Sequence, residues 1–212
     1  MRTVLLTGFE PFDQDTVNPS WEAVRLLDGT LQGDMQIIAR QLPCTFAGAP
    51  ERLSQLLQEF TPTLVIAVGL GPGRTDICIE RVAININDAR IPDNLGYQPI
   101  DTPVVAQGPA AYFSTLPLKA MVRAIRAGGI PASVSHTAGT FVCNQVFYSL
   151  QHALAGSGVR SGFIHIPALA QQALETGVPS MALETMVQGL RIALITALNT
   201  EHDVLETGGQ VS

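Results

Sequence analysis

The chain has 212 residues, 46% of them hydrophobic and 14% charged, a balance that supports a buried core and excludes a disordered polypeptide. A net charge of -6, with only 12 Lys and Arg spread along the chain, excludes the dense basic face that nucleic acid needs. No apolar run approaches the ~20 residues of a membrane helix, no signal core precedes Val4-Leu5-Leu6, and the cysteine count is odd, so a reducing cytoplasm with free thiols and no membrane partner is expected.

Strand and helix patterns alternate along the chain. Residues 3–7 form an apolar run ending at Gly8, the pattern of a buried strand. Asn18-Pro19-Ser20 then opens a helix with Trp21, Val24 and Leu27 on one face, since a proline at the first turn loses no helical hydrogen bond. A second strand is predicted over 35–41. A helix over 51–60 places Leu53, Leu56, Leu57 and Phe60 together. The apolar run 63–68 leads into Gly69-Leu70-Gly71-Pro72-Gly73, and 77–86 alternates as a strand would. Residues 88–108 are polar and rich in Pro and Gly, a long segment suited to covering a site or to subunit contacts. Helices over 117–127, 142–155 and 180–199 and strands over 132–135 and 162–166 complete the pattern, and 201–212 reads as a loose tail. Such alternation predicts one α/β domain over 1–200, with a largely parallel sheet between helices.

Ligands of open α/β sheets bind beyond the carboxyl ends of the strands. Cys143 falls at the first turn of the 142–155 helix, where the helix dipole and free N–H groups favour a thiolate. The preceding Thr137-Ala138-Gly139-Thr140 offers further N–H groups for an oxyanion. On local context alone, a small buried thiol is the commoner role of such a cysteine. His165, inside Phe-Ile-His-Ile-Pro, would serve as a base only if the fold brings it to Cys143. Glu80 interrupts an apolar strand pattern and is a candidate to orient that imidazole, in competition with Asp88, Asp93 and Asp101. Cys44 and Cys78 read as structural. The glycine cluster at 69–73 is a poor nucleotide loop, because a strand follows it and Pro72 lacks an N–H. No cluster has metal-site spacing.

Four stretches carry a resemblance that spans nearly the whole chain. They are Leu6-Thr7-Gly8-Phe9-Glu10-Pro11-Phe12 with Asn18-Pro19-Ser20; Gly73-Arg74 with Glu80-Arg81-Val82-Ala83-Ile84-Asn85; Gly139-Thr140-Phe141-Val142-Cys143-Asn144; and Gly162-Phe163-Ile164-His165-Ile166-Pro167. In these the chain resembles the pyroglutamyl peptidase I family of cysteine peptidases. The resemblance implies a three-layer α/β/α sandwich, often assembled as a homo-oligomer (tetramer or dimer), with no cofactor and no metal. It implies catalytic roles for Cys143 as nucleophile, His165 as base and Glu80 as orienting acid, which settles the competition among carboxylates. It further implies that Phe9, Phe12 and Phe141 line the lactam site and that Arg90 lies near it, with peptides bearing an N-terminal pyroglutamate as substrates. Leu70 departs from the family, which usually carries a glutamine there. Two alternatives follow: a hydrolase of the same family with shifted acyl or lactam specificity, or a catalytically silent binding relative.

Overall fold

The computed structural model describes residues 2–209. The first apolar run forms β1 (Arg2–Phe9), buried from Val4 onward because helices cover both faces of the sheet. On one side it pairs in parallel with β3 (Met35–Leu42), against which a two-residue β2 (Leu31–Gln32) folds back antiparallel. On its other side lies β4 (Leu64–Leu70), also parallel, followed by β9 (Arg160–Ile166) in parallel register with it. Next comes β5 (Ile77–Glu80), antiparallel to β9, and then β8 (Ala132–Ser135), parallel to β5. The sheet order is β2-β3-β1-β4-β9-β5-β8. The central sheet is thus mixed and mostly parallel, the α/β class that the sequence alternation predicts.

Successive strand side chains point to opposite faces, which divides the core in two. Val4, Leu6, Ile66, Ile79 and Ile164 face α1 (Pro19–Arg25), α3 (Leu118–Ala127) and α6 (Leu183–Asn199). Leu5, Ala67 and Phe163 face α2 (Gly48–Phe60) and α4 (Val142–Ala153) on the other side. The result is three layers, helix on sheet on helix.

Several elements differ from the sequence expectation. The alternating pattern 77–86 is broken at Arg81: β5 stays in the main sheet, whereas β6 (Val82–Ile84) leaves it to pair with β7 (Ala111–Phe113). Arg81 makes the turn, its N–H donating to Ser135 O and its carbonyl accepting from Ser114 N–H. A short α5 (Ala170–Thr176) follows Pro167, fastened at its start by the Leu169 N–H donating to Gln172 Oε1.

Residues 88–108 contain no long regular element, yet they are stitched to the body of the protein. Buried Asp93 accepts N–H bonds from Phe46, Leu95 and Tyr97, and Asn94 Nδ2 donates to Glu10 Oε1 and to Pro11 O. Residues 201–209, within the segment read as a tail, hold no helix or strand but lie along α3. There Asp203 accepts N–H bonds from Lys119 and Ala120, and Glu206 pairs with Arg123. Residues 210–212 of that segment lie outside the described residues. Among the described residues no helix is long and apolar enough to cross a membrane.

Candidate active site

The site is assembled on the face of the sheet shared with α2 and α4. Sheet register explains how Glu80 and His165 meet. Cys78 stands opposite His165 in the antiparallel β5–β9 pair. Glu80, two residues on, has its side chain on the same face as Cys78 and sits diagonal to His165, within reach of a long side chain. Glu80 Oε1 lies 2.8 Å from His165 Nδ1. Both residues are shut away from solvent, at 0% and 5% exposure. A carboxylate only accepts, so Nδ1 carries the hydrogen, and in the neutral imidazole Nε2 keeps a free lone pair.

The nucleophile candidate arrives from a different element. Phe141 is the N-cap of α4 in extended conformation and offers no side-chain acceptor, so the first-turn N–H groups beside Cys143 have no intrahelical partner. Asn144 anchors this turn. Its Oδ1 accepts from Ile84 N–H and its Nδ2 donates to Ile84 O and Ile86 O, tying α4 to the β6 strand. Cys143 Sγ comes to rest beside Gly69, near the end of β4, and Gly69 is itself the register partner of His165. Three of the stretches singled out in the sequence therefore converge.

These groups open into a cleft of about 300 Å³, lined by Phe9, Phe12, Leu70, Phe141, Cys143 and His165 among others. The wall is largely apolar, with three phenylalanines, and Asp15, Asn18 and Arg74 are among its polar members. Phe12 and Phe141 have ring centroids 5.1 Å apart, and Phe46 stands edge-on to Phe141 at the same distance. Ser20 supports the wall by accepting the Phe9 N–H, and Asn18 supports it by donating to Glu10 O. The apolar part of this surface suits a flat, neutral ring.

Not every expected residue lies here. Arg90 is exposed and is not among the cleft-lining residues. The arginine that reaches the site is Arg74, and Cys44, which reads as structural in the sequence, also lines the cleft. A signal for Arg74 existed: it follows the glycine cluster just beyond the carboxyl end of β4, where ligand-facing residues gather. Cys44 follows β3 in the same way. Among the described residues no three His, Cys, Asp or Glu side chains group as a metal site would.

Opposing influences act on the Cys143 thiol. Burial pushes its thiol up from the ordinary value, and nearby Cys44 and Glu80 push it further. The field of the helix start acts the other way, favouring the thiolate. Cys44, pushed up to about 12 by burial and by Glu10 and Asp93, is inert in the same range.

A profile of the family described as pyroglutamyl peptidase matches residues 2–200. The chain is 70% identical over 213 residues to the pyrrolidone-carboxylate peptidase of Pseudomonas fluorescens, covering 100% of each. It is 62% identical over 215 residues to that of Cupriavidus pinatubonensis, again 100% of each. Among solved structures, pyroglutamyl peptidase I from Bacillus amyloliquefaciens superposes with a TM-score of 0.95 at 45% identity, over 97% of this chain and 99% of that one. Pyrrolidone carboxyl peptidase from Thermococcus litoralis gives 0.94 at 37% identity, over 98% and 100%. With its motifs gathered at one cleft and its full length matched, the chain belongs to the pyroglutamyl peptidase family.

Proposed function

We propose that this protein is a cysteine exopeptidase that hydrolyses the amide bond after an N-terminal pyroglutamyl residue, releasing pyroglutamate through a thioacyl-enzyme. The observation that carries the reading is that His165, held by the buried Glu80, and Cys143 line one largely apolar cleft. The lactam ring would lie against Phe9, Phe12 and Phe141. Cys143 Sγ attacks the pyroglutamyl carbonyl while His165 Nε2 takes its proton. The oxyanion is held by the free N–H groups at the start of α4, where one well-placed donor is worth about 10²–10³ in rate. His165 returns the proton to the departing amine. Water, activated by the same imidazole, then cleaves the thioester to free pyroglutamate and regenerates the thiol. Glu80 holds the imidazole in the productive tautomer throughout.

The full-length family match and the shared name of the relatives favour this activity over a shifted specificity through Leu70 or a silent binding relative. Release of a fluorophore from a pyroglutamyl amide, comparing wild type with Cys143→Ala, tests it. Turnover confined to the wild type supports the reaction and its nucleophile. Turnover retained by the variant removes Cys143 from the mechanism, and none in either protein removes the reaction.

The same reading places the enzyme in a reducing cytoplasm as a homo-oligomer, a tetramer or dimer. Cys44, Cys78 and Cys143 are all free thiols, which supports that compartment. Leu95, Tyr97 and Ile100 leave an exposed apolar patch on the 88–108 segment, which suits a subunit contact. Light scattering at micromolar concentration checks the assembly, and a monomer there counts against it.

A further inference from the structure

We infer that Arg74 is a positioning residue of this reaction, fixing the Glu80 carboxylate and the approach to the nucleophile in one frame; the inference rests on the hydrolase reading above. Arg74 Nη2 lies 3.7 Å from Glu80 Oε1, the same oxygen that accepts from His165 Nδ1. That nitrogen also donates to Ser135 Oγ and to Thr137 O, each at 3.1 Å. Ser135 ends β8 and Thr137 begins the segment that runs through Gly139 to Cys143. One guanidinium thus touches the orienting acid and the base of the nucleophile loop together.

The surroundings are built for this side chain. A Cβ on Gly71 would stand 2.7 Å from Arg74 Cγ and 3.2 Å from His165 Cβ, so the glycine leaves the room in which the arginine stem lies against the histidine. Glu80 needs such a neighbour. It is fully buried, and its Oε2 has no hydrogen-bond partner. A buried carboxylate with one hydrogen bond is costly unless a cation stands close. The titratable or charged groups around the Glu80–His165 pair are Arg74 from the loop after β4, Cys78 and the adjoining Arg81 from the β5 segment, and Cys143 from α4. Arg74 is the cation paired with Glu80 there and the one that lines the cleft. All three contacts come from Nη2, so a lysine ammonium keeps the charge, but on a flexible stem that is not pre-organised to hold it there.

The test compares wild type with Arg74→Gln and Arg74→Lys, reading kcat and KM on a pyroglutamyl amide across pH together with the thermal midpoint. Arg74→Gln is expected to lower kcat at least about tenfold with KM held within about twofold, the signature of a misplaced catalytic pair. Arg74→Lys, which keeps the charge, should recover part of the lost kcat. Wild-type kcat in Arg74→Gln overturns the inference. So does a kcat loss that is matched by a fallen thermal midpoint and not recovered in Arg74→Lys, since that describes a residue that merely supports the fold. Should the wild type show no turnover, the hydrolase reading fails by itself. Arg74 is then judged by the pH dependence of iodoacetamide alkylation at Cys143, and identical curves for wild type and Arg74→Gln overturn it.

Discussion

A methyl group on Gly69 would stand 2.9 Å from Cys143 Sγ and 2.8 Å from Phe163 Cζ. The glycine is therefore the floor on which the thiol sits. Gly69→Ala must push either the sulfur or the phenyl ring aside. Displacements on the order of 1 Å at a reacting atom cost roughly 10² in rate. We expect kcat/KM to fall by about that factor while circular dichroism stays native. A kinetically normal Gly69→Ala would mean that the attacking sulfur occupies some other position.

Alkylation of Cys143 should be slow at neutral pH. Burial disfavours the thiolate, so the group titrates above its ordinary value of 9.0. The iodoacetamide rate, followed at Cys143 by mass spectrometry, is expected to keep rising past pH 9.0 in the free enzyme. A plateau reached near neutrality would show a preformed thiolate and would return the helix start to the leading role.

Alkaline pH should weaken the fold. Cys44 and Cys78 are both pushed up to about 12, chiefly by burial. Above 9.0 the unfolded chain releases these protons and the folded one keeps them. The stabilising difference is complete below that value and is lost between 9.0 and about 12. The slope reaches at most about 1.4 kcal/mol per pH unit for each thiol. Urea midpoints at pH 8 and pH 10.5 should therefore differ by less in Cys78→Ala than in the wild type. Parallel losses in the two proteins would count against the assignment.

Asp203 caps a helix from far along the chain. Pro117, the N-cap of α3, has no side-chain acceptor to offer, and Asp203 fills that role at Lys119 N–H and Ala120 N–H. Removing a helix cap costs about 0.5–2 kcal/mol. Asp203→Ala should lower the urea unfolding free energy within that range and leave kcat untouched, and an unchanged midpoint would sink the idea.

The runs that became β1 and β4 were legible because a strand covered on both faces writes a continuous apolar signal. β7 and α5 were not, having three and seven residues and no periodic face to advertise. The break at Arg81 escaped notice because Val82 and Ile84 carry on the alternation after the chain has left the sheet. Within the site, the sequence places Cys143 at a helix start but says nothing of what surrounds it. Its burial, and the neighbouring Cys44 and Glu80 from distant segments, push the thiol up. Glu80 could not be told from Asp88, Asp93 and Asp101 by local pattern, because its distinction is a register with β9, 85 positions away. The structure separates them: Asp88 and Asp101 are exposed, and Asp93 is spent on three backbone N–H groups.

The position of β9 has a consequence for the newly made chain. It lies between β4 and β5, yet it is the last strand of the sheet to be synthesised. Until residues 160–166 leave the ribosome, β2-β3-β1-β4 and β5-β8 are two separate ribbons with apolar inner edges bare. Open edges of that kind invite pairing with other chains. Stalling or truncation before Arg160 would leave an aggregation-prone intermediate that also lacks His165, so no turnover can precede the joining of the two ribbons.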